Sequence, residues 1–252
     1  GFFRTVQPDL GTLLSSVDAQ LRMASQMPGN SEPRLELVRS ATKALDSIGA
    51  EDRDVAIVAE YRGYAAYVGG AFEQAATRYA DAAALPDADR ETLLVKAARM
   101  ELFAQRPAAA LRHLDALSSP SSSASIARAE ALIQLERDAD ALVVAEALAD
   151  QKDAENHPWL DLGSLFERLQ KVDAAEAAYT KAAAQNDIAN YFLGRLKAKQ
   201  GQIDSSIDCL ERAAAADAAW VRAHLDRDAS AWAVCSSDQR FQSVRGTHDD
   251  AA

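Results

Sequence analysis

Tyr61, Tyr64 and Tyr67 fall at three-residue spacing and make up half of the six tyrosines in the chain. A phenol ring offers a large apolar face and one polar tip, which suits a surface that grips a partner. The groups that carry catalysis are not arranged for it. The four histidines are His113, His157, His224 and His248, and no two share a helical turn. There is no HExxH, GxGxxG, phosphate-binding loop or GxSxG in the chain. His157 precedes Pro158 at a helix start, where an exposed imidazole is ordinary. Asp249 and Asp250 are adjacent but stand in an expected tail, and the other carboxylates are scattered. Cys209 and Cys235 form no CxxC and have no histidine cluster around them. Cys209 stands with Ile207, Leu210 and Ala213 on one helical face, as a small core residue does. A disulfide to Cys235 requires the C-terminal cap to fold back on the last repeat. No cofactor, no metal site and no catalytic residue is expected.

Composition sets the class of element that must position these side chains. Of 252 residues, 48% are hydrophobic, with 11 glycines and only 7 prolines, which fits long helical content. Alanine carries much of that fraction and is the best helix former. Sustained period-2 alternation is absent, so almost no strand is expected. The net charge is −11 and no basic stripe is visible, which disfavours nucleic acid as a partner. An acidic surface of this kind favours solubility. No stretch of eighteen apolar residues occurs, so no membrane span is expected in this segment. The chain opens Gly1-Phe2-Phe3-Arg4 without an initiator Met. Gly1 reads as a scar of tag removal, or the native protein starts upstream with a removed signal, an anchor helix or another domain.

The helices can be placed from breakers and apolar periodicity. Residues 1–9 read as a tether. Asp9 caps a helix to about Met27, with Leu13, Leu14, Val17 and Leu21 on one face. Pro28-Gly29-Asn30 breaks it, and Ser31 opens a second helix to about Ile48. Further pairs are expected at 54–68 and 72–85, 88–104 and 107–118, 124–135 and 139–151, 158–170 and 173–185, and 187–200 and 203–216. The serine-rich segment 118–125 reads as a connector. Short loops make sequential helices antiparallel. Residues 217–244 begin as an extra helix, whose Trp220, Val221 and Leu225 can cover the last pair. Residues 245–252 read as a disordered tail.

A signature recurs every thirty-odd residues. It is clearest at Trp159, Leu162, Gly163 and Phe166, followed by Ala175, Tyr179 and Ala182. This resembles the tetratricopeptide (TPR) repeat, and the resemblance covers about residues 55–220. It is strongest at 156–189, good at 56–89 and 187–220, and weaker at 91–155. The positions near the ends of the second helices where the repeat has a small residue, here Ala44, Ala82, Leu117, Leu148, Ala182 and Ala213, are 38, 35, 31, 34 and 31 apart by subtraction. The repeat expects roughly 34. Gly63, Ala98, Ala129, Gly163 and Gly194 mark close contacts between paired helices. The segment Asp238 to Val244 is similar to the "D-x-R-F-x-x-L" tail of bacterial TPR proteins, with Val244 in place of Leu.

The resemblance implies an all-α, right-handed superhelical solenoid of antiparallel helix pairs with a C-terminal capping helix. Residues 10–244 would form one solenoid: a divergent pair at 10–49, about five repeats at 54–216, and a cap at 217–244. It further implies that the first helix of each pair lines a concave groove. Groove positions then fall on Tyr61, Tyr64 and Tyr67, on Lys96 and Arg99 with Phe103, and on Arg195 and Lys199. The competing reading of the tyrosines is that they pack against the preceding helix pair. Lys96 and Arg99 lack the asparagines that accompany the carboxylate clamp of chaperone-binding TPR domains. The expected function is a non-enzymatic scaffold that binds a protein or peptide in the groove, with acidic or carboxylate-bearing segments favoured. The alternative is a soluble accessory or assembly domain of a larger membrane-anchored or cell-envelope protein. Partner, compartment and oligomeric state are not encoded in a readable way.

Overall fold

The structure is a computed structural model, which describes residues 9–29, 31–49, 52, 55–151 and 158–246. The expectations for the tether and Gly1 to Phe3, for Asn30, His157 and His248, and for the tail from 247 fall outside these residues. Among the described residues there are thirteen α-helices and no strand. They are α1 (Leu10–Ser25), α2 (Glu32–Asp46), α3 (Ala56–Val68), α4 (Phe72–Ala83), α5 (Arg90–Phe103), α6 (Pro107–Asp115), α7 (Ser122–Gln134), α8 (Asp138–Ala149), α9 (Trp159–Arg168), α10 (Val172–Gln185), α11 (Asn190–Lys199), α12 (Ile203–Arg227) and α13 (Gln239–Arg245). Short 3₁₀ turns occupy Asp187–Ala189 and Ala233–Cys235.

The helix starts follow side-chain chemistry. Asp9 accepts the Thr12 N–H at 3.0 Å and opens α1, and Asp89 accepts the Thr92 N–H at 3.2 Å to open α5. The serine-rich segment is not wholly a connector. Ser121 caps the Ala124 N–H at 3.3 Å, so α7 begins at Ser122, inside the expected loop. Serine is a good N-cap because its hydroxyl satisfies an orphan N–H. A kink lies in α12 at Asp217, with φ −153° and ψ 91°, and Asp217 accepts the Trp220 N–H at 2.9 Å. The capping segment therefore starts with its own N-cap.

The turns inside the five pairs from α3–α4 to α11–α12 repeat a single device. Gly70, Gln105, Glu136, Gln170 and Gly201 all have φ between 57° and 79°. In each case the next residue's N–H reaches back to a carbonyl five residues earlier: Ala71 to Ala66 (2.9 Å), Arg106 to Glu101 (2.8 Å), Arg137 to Leu132 (2.9 Å), Lys171 to Phe166 (2.8 Å) and Gln202 to Lys197 (3.0 Å). This is the left-handed closure that satisfies the last carbonyls of a helix. By subtraction these residues are 35, 31, 34 and 31 apart. The same intervals separate the aligned second-helix positions from Ala82 onward, so the repeat register read from side chains is the register of the backbone.

The chain packs as two compact units, residues 1–141 and 142–252, and the boundary falls within α8. In the N-terminal unit, α1 packs on α2 and α3 around Val17, Leu21, Ala41, Leu45 and Val58. A second cluster holds Tyr79, Leu93, Ala97 and Met100, and a third holds Val95, Leu102, Leu114 and Ala127. Arg34 ties the first two pairs together. Its guanidinium donates to the Val68 carbonyl at 2.8 and 3.0 Å and to the Met27 carbonyl at 3.0 Å. In the C-terminal unit, α9 packs on α10 and α11 on α12. Trp232 and Phe241, 1% and 4% exposed, close its apolar end against Tyr191, Ile207 and Leu210.

Candidate functional site

A groove of about 540 Å³ opens in the N-terminal unit, walled by α1, α3 and α5. Helix α3 contributes Ile57, Glu60, Tyr61, Tyr64 and Tyr67, and α5 contributes Lys96, Arg99, Met100 and Phe103. These positions recur at three- and four-residue steps, which put them on one face of each helix. Tyr61, Tyr64, Tyr67, Lys96 and Arg99 therefore line a single cavity. The three tyrosines are half-buried: each packs its ring against the core under α1 to α3 and keeps part of its surface in the groove.

The aromatic rings are continuous at one end of the groove. Tyr64 stacks on Tyr67 with centroids 6.3 Å apart, and Tyr67 stacks on Phe103 at 6.2 Å. Phe72, at the start of α4, lies 5.5 Å from Phe103 and 6.2 Å from Tyr67. Such spacings are favourable for rings and hold the wall in one shape. Phe103 stays 55% exposed and Ile57 41% exposed, which leaves apolar surface without cover. Tyr79, buried in the floor, has its phenol pKa raised by burial and, behind that, by Glu60. Tyr61 is raised by burial and then by Asp18.

Charge in the groove is largely internal. Lys96 is paired with Glu60 across α5 and α3. Arg22 is paired with Asp18 at 2.6 Å on α1. Arg99 is exposed and has no hydrogen bond, ion pair or ring contact among the described residues. Among the described residues, Arg99 is thus the one groove cation without a carboxylate partner, in a chain of net charge −11.

Arg195 and Lys199 stand in the C-terminal unit and are engaged there. Arg195 donates to Glu167 Oε2 at 3.0 Å and to Asp228 Oδ2 at 3.2 Å. Lys199 donates to Glu167 Oε1 at 2.6 Å. Tyr179 adds an O–H to Glu167 at 2.9 Å, and Tyr191 one to Asp228 at 3.0 Å. These cations bind α9 to α11 and α11 to the capping segment, a role that their periodicity alone does not reveal. The sequence reading also missed Asp18 and Arg22, because α1 carries no repeat signature to place it as a wall. Phe72 was missed because it opens a second helix, whereas groove positions were counted on first helices.

Cys209 and Cys235 are both buried as free thiols, with burial raising the Cys209 pKa. Among the described residues no group of three or more His, Cys, Asp or Glu side chains is placed to hold a metal ion. No helix among them is long and apolar enough to cross a membrane.

Residues 157–186 and 188–219 match the family model of the tetratricopeptide repeat. The match supports the resemblance read from Trp159 to Phe166, and it covers α9, α10, α11 and α12 as far as Ala219. No curated protein matches the chain.

Proposed function

We propose that this chain is a non-enzymatic protein-interaction scaffold, and that the groove of the N-terminal unit receives a segment of a partner protein. The observation that carries the reading is an aromatic and aliphatic wall, exposed at Ile57 and Phe103 and half-buried at Tyr64 and Tyr67, in one groove with Arg99, which has no partner among the described residues. Aromatic and arginine side chains in a concavity are the usual anchors of binding energy. The matched repeats belong to a class that generally mediates protein–protein interaction. The N-terminal unit shares their construction, with the left-handed closures at Gly70 and Gln105 and the close pair Gly63–Tyr79. Affinity capture from native lysate tests this. Partners taken by the wild type should be lost on Tyr64→Ala and Phe103→Ala and kept on Arg212→Ala, an exposed position in the other unit. An unchanged partner set on both groove variants would sink the proposal.

A further inference from the structure

We infer that the groove selects an internal segment in which a side-chain carboxylate stands beside an apolar side chain, with Arg99 taking the carboxylate and the Tyr67–Phe103 wall taking the apolar group. This rests on the groove being the binding face. Of the three lining cations, two already have a carboxylate partner: Arg22 has Asp18 and Lys96 has Glu60. Among the described residues that line the groove, Arg99 is the cation with no carboxylate partner, and its whole guanidinium is open to a ligand. A guanidinium meets a carboxylate with two parallel N–H donors, a geometry that a point charge cannot reproduce. Phe103 stands four residues after Arg99 on α5, one helical turn away on the same face. A ligand must therefore offer its acid and its apolar group about one turn, roughly 5–6 Å, apart. The Lys96–Glu60 pair closes the next turn, so the acidic contact is confined to a single position. One free cation fits one side-chain acid and not a run of acids.

Peptide display on the folded full chain tests this, with random segments flanked at both ends. A selected peptide is then made acetylated and amidated, and its affinity is read by fluorescence anisotropy. The expected peptide carries Asp or Glu next to Leu, Phe or Trp. Replacing its acid by the amide, or Arg99→Ala, should each weaken binding about tenfold, the scale of one charge-assisted contact. The two changes together should do no more than either alone. Arg99→Ala should leave the melting curve in place, since the side chain holds nothing. Selected peptides without an acid, or full affinity on Arg99→Ala, would overturn the inference. So would binding that requires a free C-terminus, or groove-dependent self-association of the chain. If Tyr64→Ala weakens a peptide that Arg99→Ala does not, the groove stands and the acidic contact falls. A selection that yields no peptide sensitive to Tyr64→Ala counts against both.

Discussion

Tyr179 packs so close to Gly163 that a Cβ on Gly163 would come within 2.4 Å of its ring carbons. Tyr79 stands in the same relation to Gly63, where an added Cβ would come within 2.7 Å of the ring. In both cases the aromatic follows the glycine by sixteen residues, and Leu114 follows Ala98 by the same interval. A small residue on the first helix makes room for a large one on the second, which is how the paired helices come so close. Gly163→Ala should overpack this contact and lower stability by about 1–3 kcal/mol. Adding Tyr179→Leu should recover part of the loss, as the Ala98–Leu114 pair shows the combination is compatible with the fold. Recovery should be incomplete, because the Tyr179 hydroxyl also donates to Glu167 at 2.9 Å. Chemical denaturation of the two variants checks this. An unchanged midpoint for Gly163→Ala would show that the ring can move aside.

These pairs explain why so much of the fold was legible. Gly163 with Tyr179 and Gly63 with Tyr79 are dictated by steric volume, and volume can be read from residue type. The left-handed turn is legible at Gly70 and Gly201, where glycine announces it. It is not at Gln105, Glu136 and Gln170, where an ordinary residue is held at positive φ by the backbone closure around it. The groove was legible in part. Tyr61, Tyr64, Tyr67, Lys96 and Arg99 share a helical period that the repeat register fixes. The difference between Arg99 and Arg195 was not, because both are arginines at equivalent periodic positions. What separates them is a carboxylate supplied by another helix, Glu167 from α9 and Asp228 from the capping segment.

The Glu167 cluster predicts an acid response. Burial alone raises the Glu167 pKa, but the hydrogen bond from Lys199, the charge of Arg195 and the hydroxyl of Tyr179 outweigh it and hold the pKa below its ordinary 4.5. The folded state thus binds this proton less readily than the unfolded state. The stability gained is complete above the ordinary value and drains away as pH falls through it towards the lower folded value. Glu167→Gln removes the titration and the ion pairs together. The variant should be less stable near neutrality, and the gap to wild type should narrow between about pH 5 and pH 3. Urea midpoints of both proteins across that range measure the gap. A gap that stays constant on acidification would mean that Glu167 does not drive the response.

The capping segment should be indispensable to the C-terminal unit. Trp232 is 1% exposed and Phe241 4% exposed, and Trp232 lies 5.6 Å from Tyr191 while its indole N–H donates to the Tyr191 hydroxyl at 3.3 Å. Together they cover Ile207 and Leu210, which belong to the last matched repeat. A terminal repeat without a neighbour exposes the face that another repeat would bury. Trp232→Ala should cost about 3–5 kcal/mol, since it empties a packed site and takes from the Tyr191 hydroxyl oxygen the indole N–H that it accepts. Truncation before Asp217, where the backbone already breaks, should go further and produce aggregation through the uncovered apolar end. Asp228 leaves with the truncated segment, so Arg195 would also lose one of its two carboxylates. Light scattering and the denaturation midpoint of the truncated chain are the measurements. A chain ending at Ala216 that stays monomeric with the wild-type midpoint would show that α11 and α12 bury their own end, and that the Trp232–Tyr191 contact adds nothing to the fold.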